Sequence, residues 1–200
     1  MTSRDFSVYV AGPMSAEAAQ LPRSGPLPAG RHGLSRAFVV SNQRERMLDA
    51  TIQAASELGY ARMHVEDIIK RAGVSRRTFY EQFANKHAAF LAAFDLAADM
   101  LMTAVRHAYE QEDTFERRVS AGFTAFLGAL AAAPDAARVC IVEALAAGPD
   151  AIERRAAVSA AFAEAIESNA PERPDHPLPP LTAEKLVGGV YDIVFRRLCE

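Results

Sequence analysis

The sequence predicts an all-α protein. Half of the 200 residues are apolar, alanine is abundant, tryptophan is absent and there are only 11 glycines. This balance favours packed helices over short strands and turns. Beyond residue 34, apolar residues recur at helical spacing, and capping residues or glycines separate one segment from the next. A chain of this length can bury a substantial core without disulfides.

Composition and periodicity divide the chain into three regions. Residues 1–34 contain closely spaced prolines and glycines and are predicted to be a disordered tail. Residues 35–85 contain one long and two short helices, and residues 86–200 contain further helices. The predicted helices cover residues 36–58, 64–72, 76–83, 86–109, 115–130, 136–147, 150–168 and 183–198. The expected N-caps are Ser35, Ser75, Asn85, Thr114 or Asp113, and Thr182.

The charge distribution favours one part of the chain as a nucleic-acid contact. The formal net charge is −3, which argues against a general nucleic-acid coat. Residues 41–86, however, carry eight basic against six acidic side chains, a net +2, which leaves −5 for the remainder. A phosphate backbone would therefore dock on residues 41–86.

Two short segments within this region have the proportions of a helix-turn-helix. Residues 64–72 and 76–83 are each too short to be stable alone, and Gly73 between them can adopt a left-handed turn. Their apolar positions are expected to share a core: Val65, Ile68, Ile69, Ala72, Val74 and Phe79. The opposite face carries side chains suited to base edges and phosphates: Arg76, Arg77, Thr78 and Tyr80.

The stretch from Ile68 to Lys86, which reads IIKRAGVSRRTFYEQFANK, resembles the DNA-binding signature of the TetR family of transcriptional regulators. The resemblance extends less strictly to residues 30–35, and weakly to residues 142–149 and 186–191. It implies a TetR-like all-α fold. Residues 35–85 would be a three-helix DNA-binding domain, and residues 86–200 a helical ligand-binding and dimerisation domain.

The resemblance also implies which residues contact DNA. Arg76, Arg77 and Thr78 would enter the major groove, while Tyr80 and Lys86 would hold phosphates. Two further residues are assigned to the same interface: Ser75 and Arg44. Arg31, with its neighbour His32, is either an arm in the adjacent minor groove or part of the disordered tail.

The sequence departs from the family pattern in three places. His64 stands at a cap where Thr or Ser is usual, and Ile69 stands where Ala is usual. We therefore expect a weaker cap on the first short helix and a slight shift of the helix pair. The family's last helix is also missing, so we expect a shortened chain or a weakened dimer.

The resemblance implies particular partners. They are a pseudo-palindromic double-stranded operator, a second copy of the chain and an apolar small-molecule effector that relieves repression. Four residues are candidates for the effector pocket: Phe123, Phe126, Glu143 and Phe162. Aromatic residues of this kind more often belong to an ordinary core, and for Glu143 a solvated or arginine-paired carboxylate on one helix face is the favoured alternative.

The sequence contains no pattern typical of catalysis, a metal site or a cofactor. Cys140 and Cys199 lack metal-ligand spacing, and no nucleophile elbow or acid pair is found. A small helical enzyme is therefore disfavoured. A protein-interaction or small-molecule-binding module without operator binding remains the alternative. No secretory signal or membrane span is expected, which favours a cytoplasmic, nucleoid-associated protein.

Overall fold

The computed structural model describes residues 36–168, 170 and 179–200, and every regular element within them is helical. The all-α prediction is thus confirmed for this part of the chain. The predicted tail, the Ser35 cap and Arg31 lie outside the described residues. The helices are α1 (Arg36–Leu58), α2 (Val65–Ala72), α3 (Arg76–Gln82), α4 (Lys86–Glu110), α5 (Phe115–Ala132), α6 (Pro134–Ala146), α7 (Pro149–Ser168) and α8 (Thr182–Cys199).

Side-chain caps begin the helices at three of the predicted positions. The Ser75 hydroxyl accepts the Thr78 amide at 3.0 Å, and Asn85 Oδ1 accepts the Ala88 amide at 2.9 Å. The Thr114 hydroxyl accepts the Arg117 amide at 3.3 Å. At the start of α2 the Asp67 carboxylate accepts the His64 amide at 2.8 Å. The first turn of this helix is therefore capped by an acidic side chain, although His64 stands where Thr or Ser is usual.

Two details of the C-terminal helices differ from the prediction. Thr182 is the first residue of α8 rather than its cap, because Leu181 takes the cap position and the Thr182 hydroxyl donates to the Pro179 carbonyl at 2.6 Å. Helix α6 begins at Pro134, two residues before the predicted start, and contains an unpredicted π-helical turn at Val139–Glu143. Proline is compatible with the first turn of a helix because its missing N–H would have no partner there.

The core of α1–α3 is narrower than the sequence predicted. Ile68, Ala72 and Phe79 are buried, whereas Val65, Ile69 and Val74 are only partly buried against them. Phe83 and two methionines are also buried in this core: Met47 and Met63.

Helix α4 connects α1–α3 with the rest of the chain. It is long and apolar enough to cross a membrane by length and composition alone. Four of its large apolar side chains nevertheless lie in the protein core: Phe90, Phe94, Leu101 and Val105. Core helices of globular proteins have this composition.

The turn between α2 and α3 depends on a glycine and a distant arginine. Gly73 adopts a left-handed conformation with φ 62° and ψ 40°. The Arg46 guanidinium, on α1, donates to the Ala72 carbonyl and to the Gly73 carbonyl, the latter at 3.0 Å. A Cβ at Gly73 would lie 3.0 Å from Arg46 Nη2, so both the backbone and the available space favour glycine here.

We predict that Gly73→Ala lowers the free energy of unfolding by about 1–2 kcal/mol, because the left-handed conformation is strained with a Cβ. Urea denaturation followed by circular dichroism measures the change. Gly128→Ala, in α5, is the matched control, since a Cβ there meets nothing within 4 Å. It should stabilise the protein by about 0.5–1 kcal/mol. Equal effects of the two substitutions would contradict this account of the turn.

Candidate nucleic-acid interface and ligand cavity

Helix α3 is held in place by its buried side and by its cap. Phe79 is fully buried and Phe83, just after the helix, is nearly so. At the other end, the Ser75 and Thr78 hydroxyls lie 2.9 Å apart, and the Thr78 amide is bonded to Ser75. This pairing leaves Thr78 half-buried and Ser75 exposed. With one side packed and the cap fixed, the rotation of α3 about its axis is determined.

The outward side of α3 carries the residues that the sequence singled out. The Arg76 and Arg77 side chains are 63% and 89% exposed, and Tyr80 is 47% exposed. The predicted outward orientation of these three residues therefore matches the structure. Their contact with DNA remains a prediction.

Each arginine has an acidic neighbour. Arg76 Nη1 lies 2.7 Å from Glu66 Oε1, and Arg77 Nε lies 2.9 Å from Glu81 Oε1. A hydrogen bond with the Tyr80 hydroxyl and the Glu66 carboxylate both raise the pKa of Arg76. Because these ion pairs are exposed, they stabilise the fold little and can exchange for other anions.

Lys86 is bound to the polypeptide backbone. Its Nζ donates to the Met63 carbonyl at 2.9 Å and to the Tyr60 carbonyl at 3.0 Å, and it lies 4.7 Å from the centre of the Tyr60 ring. Lys86 thus fixes the turn between α1 and α2. This role was not predicted from the sequence, because a lysine within a DNA-binding motif is usually interpreted as a phosphate ligand. Its predicted phosphate contact is not tested by these bonds.

Arg44 lies beside the end of α3. Its guanidinium carbon is 4.7 Å from the centre of the Phe83 ring, and the side chain is partly buried. The stacking places a positive charge at the flank of the outward face. Arg44 as a DNA contact stays a prediction.

A cavity of about 50 Å³ lies among α4, α5, α7 and α8. Three of the four predicted pocket residues line it: Phe123, Phe126 and Phe162. The Phe126 ring packs edge-on against Phe162, with centroids 5.7 Å apart, and is tilted against Tyr191 at 5.9 Å. The cavity is therefore enclosed largely by aromatic and aliphatic groups.

Glu143, the fourth predicted pocket residue, does not line this cavity. It is 6% exposed and lies in the π-helical turn, where Oε2 accepts the Tyr60 amide at 2.8 Å. Its Oε1 is 3.4 Å from Arg138 Nε, so the arginine-paired alternative describes it better. The turn after α1 that Glu143 approaches contains Gly59, whose φ of 78° favours glycine; a Cβ at this position would lie 3.4 Å from Glu143 Oε2, which is an ordinary contact distance.

A second polar contact joins the same turn to α7. The Tyr60 hydroxyl and His87 Nδ1 are hydrogen bonded at 3.1 Å, and His87 Nε2 lies 3.3 Å from Asp150 Oδ2. A neutral histidine that accepts from Tyr60 at Nδ1 donates from Nε2 to Asp150. Tyr60 therefore contacts, directly or through His87, both ends of the segment from Glu143 to Asp150.

One thiol is buried in the described part of the chain. Burial raises the pKa of the Cys140 thiol to about 12, so it is protonated and a poor nucleophile near neutral pH. No group of three or more His, Cys, Asp or Glu side chains that could hold a metal ion occurs among the residues that the structure describes.

The sequence model of the bacterial regulatory proteins of the tetR family matches residues 47–93, which cover most of α1–α3 and the start of α4. The HTH-type transcriptional activator FasR of Mycolicibacterium smegmatis is 28% identical over 99 residues, 50% of this chain and 45% of FasR. An uncharacterized HTH-type transcriptional regulator of Bacillus subtilis, YvdT, is 40% identical over 48 residues, 24% of this chain and 25% of YvdT. The chain thus matches less than half of the length of either regulator.

Solved structures share the fold over a longer part of the chain. The fatty acid degradation regulator FadR of Bacillus halodurans has a TM-score of 0.68 at 19% identity, covering 78% of this chain and 84% of FadR. FadR of Bacillus subtilis, in complex with stearoyl-CoA, has a TM-score of 0.66 at 17% identity, covering 77% and 86%. A TetR family regulator of Marinobacter aquaeolei has a TM-score of 0.64 at 20% identity, covering 81% and 86%.

The segment that matches the tetR family model contains Gly73 and all of α3, and the structural neighbours extend the likeness in fold to 77–81% of the chain. Residues 47–93 are thus similar to the bacterial regulatory proteins of the tetR family, and the chain shares the fold of the solved regulators.

Proposed function

We propose that the protein is a homodimeric, sequence-specific DNA-binding transcriptional regulator, a repressor that an apolar small molecule releases from its operator. The observation that carries this proposal is the exposure of Arg76, Arg77 and Tyr80 on one side of a helix whose other side is packed. Two guanidinium groups and a phenol projecting from a short helix suit the major groove and its flanking phosphates.

Each side chain then has a distinct role. Arg76, Arg77 and Thr78 contact base edges, whereas Tyr80 binds a phosphate. The pairs with Glu66 and Glu81 hold the guanidinium groups in free protein and are exchanged for DNA acceptors on binding. Three residues beside the outward face of α3 add a hydroxyl group or a positive charge near the DNA phosphates: Ser75, Lys86 and Arg44.

The operator geometry follows from two-fold symmetry. In a homodimer, two copies of α3 enter successive major grooves of a pseudo-palindromic site, roughly 34–36 Å apart. FasR is named an activator. We favour repression here because a dimer that covers an operator excludes the polymerase, and we place the protein in the cytoplasm at the nucleoid. The proposal includes no enzymatic activity, cofactor or membrane contact.

The effector is proposed to enter the aromatic cavity. Stearoyl-CoA in the FadR neighbour supports an effector with an acyl chain. A cavity of about 50 Å³ has room for only a few water-sized groups, so such a chain must move helices α4, α5, α7 and α8 apart. Because α4 runs from this cavity to Lys86, its displacement changes the placement of α3. The shift is limited by the difference in effector affinity between the two states.

We predict that DNA selected from random sequence by the purified protein contains a palindrome. Arg76→Ala should weaken binding to it by about 1–3 kcal/mol and relax base preference at one position per half-site. Tyr80→Phe should weaken all sites alike, by about 1 kcal/mol, because a phosphate contact carries no base information. Arg117→Ala, an exposed charge removed beyond the far end of α4, is the control.

Unchanged operator affinity in both α3 variants would refute the assigned interface. A salt titration tests the alternative of a protein-interaction module. Operator affinity should fall steeply as salt rises, because bound phosphates release counterions. Selection of no DNA sequence, together with salt-insensitive binding of a protein partner, would favour the alternative.

We predict that Glu143→Leu weakens the response to effector more than it weakens DNA binding. The leucine has a similar volume but removes the acceptor of the Tyr60 amide. In the wild type, stearoyl-CoA should lower operator affinity by about 5- to 150-fold, the usual range of coupling between sites. In the variant this factor should fall severalfold.

Operator affinity measured with and without stearoyl-CoA gives the coupling factor. Glu143→Gln keeps an oxygen acceptor and should retain most of the response. Asp150→Ala removes the contact between His87 and Asp150. Because the Asp150 side chain is 67% exposed, the substitution tests the connection between the turn after α1 and α7 with little risk to folding. A full response in both Glu143→Leu and Asp150→Ala would contradict this role.

A further inference from the structure

The cavity wall contains two phenols whose environments differ. Both Tyr109, on α4, and Tyr191, on α8, line the cavity. Tyr191 is buried, and its hydroxyl is hydrogen bonded to Ser159. The Tyr109 hydroxyl is also buried, but it has no hydrogen-bond partner among the residues that the structure describes. A buried polar group without a partner costs free energy, so an unsatisfied hydroxyl at a cavity indicates a polar function there.

The Tyr109 hydroxyl is available as a donor. Burial raises the pKa of Tyr109, and the nearby Arg118 opposes this rise only in part. The phenol is therefore protonated at neutral pH. Its O–H has no acceptor among the residues that the structure describes, so an acceptor oxygen supplied by a ligand would satisfy it.

The surroundings of Tyr109 favour an oxygen that carries partial or full negative charge. The Arg118 guanidinium carbon lies 5.8 Å from the centre of the Tyr109 ring. Arg118 is held by its Nε, which donates to the Glu112 carbonyl at 2.7 Å. The rest of the site is apolar, and Phe123 and Phe126 are among its walls.

We infer that Tyr109 determines ligand specificity: the ligand has an apolar body and one carbonyl oxygen, which accepts a hydrogen bond from the Tyr109 hydroxyl. This inference rests on the proposed function of the cavity and adds the chemistry of the ligand's polar end. Ketones, esters, thioesters and carboxylates all provide such an oxygen. An equally shaped hydrocarbon would leave the phenol unpaired and bind more weakly.

An isosteric pair of probes isolates the oxygen. Acetophenone and cumene have the same number of heavy atoms and differ by the replacement of a carbonyl group with a CH–CH3 group, and benzoate adds a charged carboxylate of similar size. Titration calorimetry of each probe into the full chain gives the ratio of cumene to acetophenone dissociation constants. Tyr109→Phe should lower this ratio roughly 3- to 10-fold, the equivalent of one hydrogen bond. The ratio cancels differences in probe hydration.

Thr103→Val is the matched control, since it also deletes one hydroxyl from α4, but from an exposed side chain that is not among the cavity residues. Its ratio should equal that of the wild type. A loss of affinity for acetophenone alone in Tyr109→Phe supports a neutral carbonyl, and a larger loss for benzoate supports a free acid. Tyr109→Phe keeps the ring and removes a buried unsatisfied group, so it should fold.

An unchanged ratio in Tyr109→Phe, with all probes still binding, would overturn the inference and leave the proposed cavity intact. Failure of every probe to bind the wild type would overturn the effector cavity and this inference together. The DNA-selection experiment is independent of both outcomes.

Discussion

The Arg46 guanidinium bonded to the Ala72 and Gly73 carbonyls is the contact on which the candidate interface depends. Helix α3 has only seven residues and would not be stable alone. Its direction is set by the point where α2 ends, and Arg46 ties that point to α1. The positive charge also neutralises the carbonyl end of α2, where the helix dipole is negative. Folding of α1 is therefore linked to the orientation of the outward face of α3.

Tyr60 has the corresponding role between the two halves of the described chain. Its amide binds Glu143, its carbonyl binds Lys86 and its hydroxyl binds His87. A buried carboxylate is costly unless its oxygens are paired. Movement of the turn at Tyr60 away from Glu143 would therefore lower the stability of the fold. The π-helical turn adds a residue to the helix and so alters the direction of the side chains that follow it. The turn after α1 and the segment from Glu143 to Asp150 must accordingly move as one, or their hydrogen bonds must break together.

Local signals in the sequence predicted most helices and the outward face of α3. Caps at Ser75 and Asn85 depend on neighbouring amides, and the position of Phe79 determines which side of α3 is buried, so both are visible in a short window. The contacts of Glu143 and Lys86 are not visible in this way, because their partners lie 83 and 26 positions away, at Tyr60. From a short window of sequence, an acidic residue in an apolar stretch is interpreted as a pocket residue, and a basic residue in a DNA-binding motif is interpreted as a phosphate ligand. Periodicity also did not predict the π-helical turn or the left-handed Leu181.

The ion pairs of the α3 arginines and the charge distribution of the chain would have opposite effects on the proposed binding to DNA. Glu66 and Glu81 lie beside the arginines and would repel phosphates if they stayed close to the DNA. Exposed pairs contribute little stability, so the guanidinium groups can leave them at small cost. The net charge of −3 for the chain, against +2 for residues 41–86, also directs the approach, because only the basic part is attracted to a polyanion. In the proposed complex, attraction would bring α3 to the duplex, while the acidic neighbours would disfavour docking wherever the arginines find no better acceptors. Such an arrangement would raise the difference between specific and non-specific binding rather than the affinity for DNA in general.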